Sequence, residues 1–376
     1  MNRLLGVSLF CLLFCSTAAA DLPNATGGEG TSVAEQLKNN PDDPKAFNAW
    51  MTETAKSISE LTETAPDEAQ KVIMNAHKLL AELKPASAEG KALLLRGRSM
   101  LANYEEMLAL SRVSLADVEK ELDAKPSDLK VIQKYSRKVS VEVGPIARTE
   151  PDKAEAVLKL AKDRVAKLKV GAAEKPIKSQ LDMLERTIAS LERNVEHGHE
   201  LQALIGQQAT PLAIESWVNG SPLAAEDLKG KVVLLDFWSV WCGPCIATFP
   251  HLREWQNQYA DKGLVIVGLT RYYDYIWDDA AGRPMRAKNK EDVPPDVEHE
   301  MLKRFAKLHN LQHRFAIQTD ASSVAGAFAV KGIPHVVVID RQGIIRMVRV
   351  GSGSKNAKAI HDMIVKLLAE PTTVTK

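Results

Sequence analysis

Residues 232–245 read VVLLDFWSVWCGPC, an apolar strand pattern that runs directly into a cysteine pair at the start of a helical pattern. A cysteine at a helix N-terminus lies near free backbone N–H groups and the positive end of the helix dipole. These lower the pKa of its thiol below the ordinary value of about 8.5. The second cysteine, one turn deeper, is placed to attack a mixed disulfide formed by the first. The stretch therefore predicts a dithiol that exchanges disulfide bonds.

The length and composition leave room for two domains with independent cores. It has 376 residues, of which 45% are hydrophobic and 26% charged, and its formal net charge is +1. This balance gives no indication of a nucleic-acid partner. Of the four cysteines, Cys11 and Cys15 lie near the N-terminus and only Cys242 and Cys245 lie in the body of the chain. A secreted protein held together by structural disulfides would carry more, so this pair is interpreted as working thiols.

Residues 1–20 have the pattern of a secretory signal peptide. A short positive start at Arg3 precedes an apolar run over 4–14, and three alanines at 18–20 form a small-residue cleavage site. Acylation of Cys15 and retention as an uncleaved anchor are the alternatives. All three place the protein outside the cytoplasm, in the periplasm or another envelope space, where disulfides persist.

The first half of the mature chain predicts helices only. Residues 21–40 are expected to form a flexible linker, and residues 41–205 an all-helical domain. Segments that begin with Pro-x-Asp at 41 and 126, and with Pro-Asp at 66 and 151, recur at a constant offset of 85 residues. Proline and carboxylates are typical of helix starts. We therefore expect two three-helix repeats, with helices at 44–63, 66–83, 88–110, 127–142, 151–169 and 174–204.

No chemistry stands out in the helical half. His197-Gly198-His199 offers two histidines without a third ligand, so a solvated helix end is expected there rather than a metal site. The mixture of lysine and glutamate is typical of solvated helix faces. The default expectation is a scaffold that docks a partner, which the sequence does not identify.

Residues 206–376 alternate between short apolar strands and helices. The predicted strands are 212–217, 231–237, 264–270, 336–340 and 344–350. The predicted helices are 243–259, 297–310, 321–328 and 355–369. This alternation predicts an α/β domain with a mixed central sheet and the dithiol at a strand-to-helix junction.

These features resemble the thioredoxin-like superfamily. The segment 236–245, with the sequence DFWSVWCGPC, follows the thioredoxin pattern, and Gly332-Ile333-Pro334 before an apolar strand is similar to the family's cis-proline loop. A lead-in hairpin over 211–233 and Phe249-Pro250 in the first helix narrow the resemblance to the TlpA-like, or redoxin, branch. The resemblance covers about residues 206–376 and implies a thioredoxin fold.

The resemblance also implies roles for individual residues. Cys242 would be the exposed attacking thiol and Cys245 the buried resolving thiol, and the two would form the redox disulfide. Asp236 matches the buried acid beneath the resolving cysteine, which relays its proton, although a purely structural strand-end role remains the alternative. The residues implied to contact an incoming peptide are Trp241, Gly243, Pro244, Ile333 and Pro334.

Three further features bear on specificity. In this family, Gly243-Pro244 between the cysteines is typical of reductants rather than oxidants. His335 departs from the residues common after the cis-proline. We expect it at the surface; the alternative is that it lies near the sulfurs and tunes them. Residues 271–296 form an insertion with three tyrosines and a tryptophan, interpreted either as a partner-recognition lid or as a loop whose aromatic residues cover the domain's own core.

Other uses of a Cys-x-x-Cys pair fit less well. A zinc site would need two more ligands, and covalent haem attachment would need a histidine at the position of Ile246. A purely structural disulfide that spans two residues would be strained. A peroxiredoxin-like peroxidase is the nearer rival, since Ser239 and Cys242 have the spacing of its motif, but Leu235 replaces a proline and Trp241 would crowd a peroxide pocket. A helical scaffold whose thioredoxin-like domain only docks partners is the non-enzymatic alternative.

The sequence thus predicts an extracytoplasmic thiol–disulfide oxidoreductase that reduces client proteins. No flavin or nicotinamide motif is present, so we expect no cofactor and a membrane thiol carrier as electron donor.

Overall fold

The computed structural model describes residues 32–212, 214–287, 293–318 and 321–371. The predicted signal peptide, with Cys11 and Cys15, lies outside these ranges. Within them, none of the helices combines the length and the apolar character needed to cross a bilayer. The chain divides into two compact units between Glu105 and Glu106. The domain boundaries expected from sequence, at 40/41 and 205/206, remain predictions.

The described residues before 205 are helical and form α1 to α8. Their bounds are Val33–Asn39 (α1), Pro44–Thr64 (α2), Pro66–Glu82 (α3), Ala88–Ser111 (α4), Leu115–Ala124 (α5), Leu129–Val143 (α6), Pro151–Gly171 (α7) and Lys175–Leu204 (α8). Each of the six predicted helices is present, with ends within two residues of those expected. Helices α1 and α5 were not predicted.

Helix α1 corrects the expectation of a flexible linker for residues 33–39, whereas residues 21–31 of the expected linker lie outside the described ranges. The Ser32 side chain accepts a hydrogen bond from the backbone N–H of Glu35, which caps the helix, and Leu37 is completely buried. Helix α5 begins in the same way, because Ser114 accepts a hydrogen bond from the N–H of Asp117. A cap and one or two buried side chains thus fix short helices that carry too few turns for a clear apolar period.

The 85-residue offset reappears in the structure of the helices. Asp43 caps α2 and Asp128 caps α6, each by accepting a backbone N–H at 2.9 Å. Completely buried positions also recur at this offset, as in the pairs Leu37/Leu122, Phe47/Ile132, Ile58/Val143 and Ala69/Ala154. Since α1 and α5 are related by the same offset, each repeat contains four helices rather than the three expected.

The residues after 205 contain eight strands, six α-helices and one 3-10 helix, Ala260–Lys262, in the described ranges. The strands are Ile214–Asn219 (β1), Val232–Phe237 (β2), Leu264–Thr270 (β3), Tyr275–Asp278 (β4), Arg283–Arg286 (β5), Arg314–Gln318 (β6), His335–Ile339 (β7) and Ile345–Val350 (β8). The helices are Ala225–Leu228 (α9), Gly243–Ile246 (α10), Phe249–Tyr259 (α11), Pro295–Leu308 (α12), Ala321–Ala327 (α13) and Ser354–Ala369 (α14).

Six of these strands form one mixed sheet in the order β1-β6-β3-β2-β7-β8. Strand β2 is parallel to β3, and β3 is parallel to β6. The pairs β1–β6, β2–β7 and β7–β8 are antiparallel. The prediction of a helical region followed by an α/β domain with a mixed sheet is therefore confirmed.

The sheet separates two apolar clusters because side chains alternate along each strand. The dithiol-face cluster includes Val232 and Leu234 of β2 together with Trp238, Cys242 and Cys245. The opposite-face cluster is defined by Val233, Leu235 and Phe237 of β2, by Phe328 after α13, and by Leu201 of α8. The last helix of the helical half therefore contributes a core residue to the sheet domain.

Sequence patterns missed β6 and the hairpin β4–β5. Strand β6 has only five residues and carries a charged residue at one end and a glutamine at the other, so its apolar run is too short to stand out. The hairpin lies within the insertion 271–296, where Tyr275 pairs with Arg286 and Asp278 with Arg283. Helix α11 also begins anew at Phe249, so the single predicted helix 243–259 is interrupted after α10.

Candidate active site

The cysteine pair lies where the central strand β2 ends and the short helix α10 begins. All six residues of β2 are buried between β3 and β7, which fixes the point at which the chain leaves the sheet. Cys242 is the N-cap of α10, and its sulfur accepts the backbone N–H of Cys245 at 3.2 Å. Gly243 and Pro244 form the first turn. Proline is tolerated there because the N–H groups of the first turn have no acceptor within the helix. The two sulfurs are joined in a disulfide.

Both cysteines are buried in this oxidised state, which differs from the expectation of an exposed attacking sulfur. Cys242 keeps 4% of its surface exposed and Cys245 none. The packing explains the difference, because both side chains belong to the dithiol-face cluster around Trp238. Cys242 is still the more accessible of the two, and the order in which they react remains a prediction.

Asp236 is a buried titratable group on the same side of the sheet. It shares a face of β2 with Val232 and Leu234, which belong to the cluster that contains Cys245. Within the described structure neither carboxyl oxygen has a hydrogen-bond partner, and the residue is completely buried. Loss of solvation raises the pKa of Asp236 from its usual 3.8 to about 7. A carboxyl group with this pKa can both accept and release a proton near neutral pH.

The loop before β7 forms the other side of the site. The Ile333–Pro334 peptide bond is cis. The Pro334 carbonyl accepts the N–H of Gly351 at 2.8 Å, which ties the loop to the end of β8. Gly332 and Ile333 line a cavity of about 350 Å³ that also reaches Trp241, the residue preceding Cys242. The structure thus brings two sequence-predicted contact residues, Trp241 and Ile333, to one cavity.

The outer wall of this cavity is a stack of three side chains from two segments. Trp241 is 51% exposed, and its ring meets Tyr273 edge to face with centroids 5.6 Å apart. The Arg271 guanidinium lies 4.7 Å from the centroid of the Tyr273 ring, within the range of a cation–π contact. All three side chains line the cavity. Of these, only Trp241 was named as a site residue from sequence, although Arg271 and Tyr273 begin the insertion that the sequence singled out.

Glu298 of α12 holds the start of the insertion in place. Its carboxylate accepts the backbone N–H groups of Tyr273 at 2.7 Å and of Asp274 at 3.0 Å. Burial raises the pKa of Glu298, and these hydrogen bonds oppose the rise. Asp274 has a φ of +63°, in the left-handed region that aspartate tolerates better than most non-glycine residues. Sequence reasoning missed Glu298, which lies in an ordinary amphipathic helix pattern.

The aromatic residues of the insertion have two different surroundings. Tyr272, Tyr275 and Trp277 pack against the dithiol-face cluster. Tyr273 instead faces the cavity. The interpretation that the aromatic residues cover the domain's own core therefore describes three of the four, and the partner-recognition lid remains a prediction that depends on Tyr273.

His335 was expected at the surface and is completely buried. It pairs with Phe237 across β2 and β7, and the two rings meet edge to face at 5.5 Å. Phe237 belongs to the opposite-face cluster, so His335 lies on the side of the sheet away from the sulfurs. Loss of solvation lowers the pKa of His335 to about 3, which keeps the ring neutral.

The residues 197–199 were expected to form a solvated helix end, and the structure corrects this for His197. His197 is buried, and its Nε2 lies 2.8 Å from the carbonyl oxygen of Ala329 in the loop that leads to the cis-proline. One turn later, Glu200 binds Lys331 at 2.7 Å. Gly198 is required for packing, because a Cβ there would collide with the carbonyl oxygen of Ala147. Helix α8 therefore holds one wall of the cavity.

His199 differs from its neighbour because its ring is partly exposed beside two carboxylates. Its Nδ1 lies 3.7 Å from Asp152 and its Nε2 3.4 Å from Glu155. One ligand atom from each of the three residues falls within 4.8 Å of the others. Exposed acidic groups of this kind are common at protein surfaces without a metal ion.

Comparison with known proteins identifies relatives of the sheet domain. Residues 205–364 match the Redoxin family model. The thioredoxin-like protein YneN of Bacillus subtilis is 28% identical over 150 residues, which cover 40% of this chain and 74% of that protein. The thiol-disulfide oxidoreductase ResA of Bacillus cereus is 28% identical over 151 residues, 40% of this chain and 72% of ResA. The resemblance inferred from the sequence motifs is thereby confirmed.

A solved structure covers a similar share of the chain. A thiol-disulfide isomerase from Corynebacterium glutamicum aligns with a TM-score of 0.35 and 22% identity, over 44% of this chain and 98% of its own. The family match begins at residue 205, directly after α8 ends at Leu204.

Proposed function

We infer from the Redoxin domain at residues 205–364 that this protein is a thiol–disulfide oxidoreductase, and we propose that it reduces disulfides of client proteins outside the cytoplasm. The observation that carries the proposal is the Cys242–Cys245 disulfide at the start of α10, with a buried carboxyl group of raised pKa on the same face of the sheet. The extracytoplasmic location is supported by the signal-peptide pattern at residues 1–20.

The first step is attack by the Cys242 thiolate of the reduced enzyme on one sulfur of a client disulfide. The S–S bond of the client breaks, a bond forms between Cys242 and the client, and the leaving client sulfur takes a proton from solvent. The N–H of Cys245, which points at the Cys242 sulfur in the oxidised structure, would stabilise the thiolate that attacks. Gly243-Pro244 in the turn supports the direction of reduction.

The second step resolves the mixed disulfide. The Cys245 thiol gives its proton to the Asp236 carboxylate and its sulfur attacks Cys242. The mixed disulfide breaks, the second client sulfur leaves as a thiolate, and the enzyme holds the Cys242–Cys245 disulfide seen here. Two electrons pass to the client in each cycle. With a pKa of about 7, Asp236 is deprotonated often enough to accept this proton at neutral pH.

A further dithiol must return the enzyme to its reduced form with two electrons and two protons. We propose a membrane thiol carrier as this donor. Access favours Cys242 as the sulfur that the donor attacks, because Cys245 is completely enclosed. Client and donor would then use the same cavity beside Trp241 in turn.

Insulin reduction tests the activity. With a chemical dithiol as electron source, the wild-type protein is expected to turn over insulin, Cys242→Ser to lose turnover, and Cys245→Ser to accumulate a mixed disulfide through Cys242. Equal turnover by Cys242→Ser and the wild type would reject the proposal. Peroxide consumption that exceeds insulin reduction would favour the peroxidase, and tight binding of clients without turnover would favour the scaffold.

A further inference from the structure

We propose that the cavity beside the disulfide is a subsite for an acidic residue next to the client's cysteine, so that the enzyme prefers peptide disulfides flanked by aspartate or glutamate. The proposal rests on the proposed function and names the substrate class of the same site. It depends on three observations about the cavity: its position, its charge and an unpaired polar atom in its wall.

The position fits a side chain that neighbours the reacting cysteine. Trp241 precedes Cys242 in the chain, and Ile333 precedes the cis-proline, and both line the cavity. A peptide whose cysteine meets Cys242 would place the next residues about 3.3 Å further along in an extended conformation. A cavity of about 350 Å³ admits one side chain and its backbone.

The charge of the cavity is positive. Arg271 and Lys331 line it, and none of the lining residues in the described ranges is acidic. The two cations differ in their surroundings, because Lys331 is neutralised by Glu200 at 2.7 Å. Arg271 stacks on Tyr273, and among the described residues it forms no ion pair with a carboxylate. Its guanidinium therefore retains donors for a carboxylate from outside.

The unpaired polar atom is the side-chain oxygen of Gln318, at the end of β6. Gln318 lines the cavity and is 8% exposed, and its Oε1 has no hydrogen-bond partner in the part of the chain that the structure describes. Burying an acceptor without a donor costs free energy. A backbone N–H of a bound peptide would supply the missing donor. The cavity therefore offers an acceptor for the peptide backbone and a cation for its side chain.

The stack also explains why the cation is held in place. Glu298 fixes the backbone of Tyr273, and the Tyr273 ring lies between Trp241 on one side and Arg271 on another. An arginine pre-oriented on an aromatic face loses less conformational freedom when it binds a carboxylate than a free one would. The insertion that departs from a compact thioredoxin would thereby contribute the selectivity.

The test uses cyclic peptides with one internal disulfide that differ at a single residue beside the cysteine, which is glutamate, glutamine or lysine. Rates are divided by the rate of each peptide with dithiothreitol, which removes differences in intrinsic reactivity. We expect kcat/KM for the glutamate peptide to exceed that for the glutamine peptide by about tenfold, a difference of about 1.4 kcal/mol. In Arg271→Gln the ratio should fall to near one, and it should stay near ten in the matched control Arg283→Gln, an exposed arginine of β5 outside the cavity.

Salt and a small disulfide complete the design. Raising the salt from about 0.02 to 0.5 M should reduce the wild-type ratio, since the Debye length shrinks. Equal rates on the three peptides, or a preference that survives in Arg271→Gln, would overturn the proposal. Oxidised glutathione carries carboxylates without a longer chain. If Arg271→Gln slowed its reduction and left the peptide ratio unchanged, the ligand would be a small disulfide and the assignment to peptides would be wrong.

Binding without turnover separates this proposal from the proposed function. The Cys242→Ser, Cys245→Ser double variant is titrated with the same peptides carrying a neutral fluorophore, and anisotropy reports the dissociation constant. Tighter binding of the glutamate peptide, lost on adding Arg271→Gln, supports the subsite even if no peptide is reduced. Identical dissociation constants for the three peptides would reject the subsite even if all were reduced.

Discussion

Replacing Asp236 by asparagine removes a buried titratable group while it keeps the size of the side chain. In the wild-type protein the carboxyl group is completely buried, and its oxygens have no partner in the described structure. The folded protein therefore favours the protonated form, with a pKa of about 7 against 3.8 for the ordinary group. Folding stability must depend on pH wherever the two forms of the chain bind different numbers of protons.

The sign and size follow from these two values. Below pH 3.8 the group is protonated in the folded and the unfolded chain, and it makes no pH-dependent contribution. Between 3.8 and about 7 the unfolded chain has released the proton and the folded chain has not, so stability falls by about 1.4 kcal/mol per pH unit. The loss is complete above about pH 7 and amounts to roughly 4 kcal/mol. The asparagine variant lacks this loss, whereas any cost of burying its amide is the same at every pH.

Urea unfolding of the oxidised protein at pH 4 and pH 8 measures the difference. The free energy of unfolding of Asp236→Asn relative to the wild type should rise by about 4 kcal/mol between the two pH values. Asp261→Asn, an exposed aspartate on the surface, is the matched control and should show no such rise. If the two proteins kept a constant difference from pH 4 to pH 8, the carboxyl group would have an ordinary pKa and its role as proton acceptor would fail.

Other substitutions test the contacts around the site. His197→Ala leaves the Ala329 carbonyl without its donor, so we expect a loss of about 1–3 kcal/mol in the free energy of unfolding and a higher KM for insulin, with partial rescue by His197→Gln. Unchanged stability and KM would show that α8 does not support the loop. Glu298→Ala leaves the N–H groups of Tyr273 and Asp274 unpaired, so their hydrogen exchange should become faster in the variant. Exchange as slow as in the wild type would contradict the holding role of Glu298.

Periodicity and motifs in the sequence predict most of the helices and strands. The 85-residue offset and the Pro-Asp starts located six helices because caps and apolar spacing are local properties of the chain. The strand-to-helix motif located the cysteines and Asp236 for the same reason. The short elements α1, α5 and β6 were not predicted, because they are too short to show a clear apolar period. Each depends on a single helix cap or on its neighbours in the sheet.

The burial and the contacts of individual side chains could not be predicted from the sequence. The sequence around His335 does not reveal its burial, which follows from its pairing with Phe237 across β2 and β7. The burial of His197 could not be predicted from the sequence, because its partner, the carbonyl oxygen of Ala329, lies 132 positions away in the chain. Arg271 and Gln318 meet only after the sheet has formed, so no spacing rule links them.

Leu201 of α8 packs into the core of the sheet domain, and sequence similarity alone does not reveal this contact. Its side chain is 3% exposed within the opposite-face cluster, yet it lies upstream of residue 205, where similarity to the Redoxin family begins. A fragment that starts at residue 205 would expose the apolar cluster on the opposite face of the sheet. It would also lack the hydrogen bond between His197 and the loop before the cis-proline. We therefore expect a fragment that begins at residue 205 to be less stable to urea than one that begins at Lys175 and keeps α8.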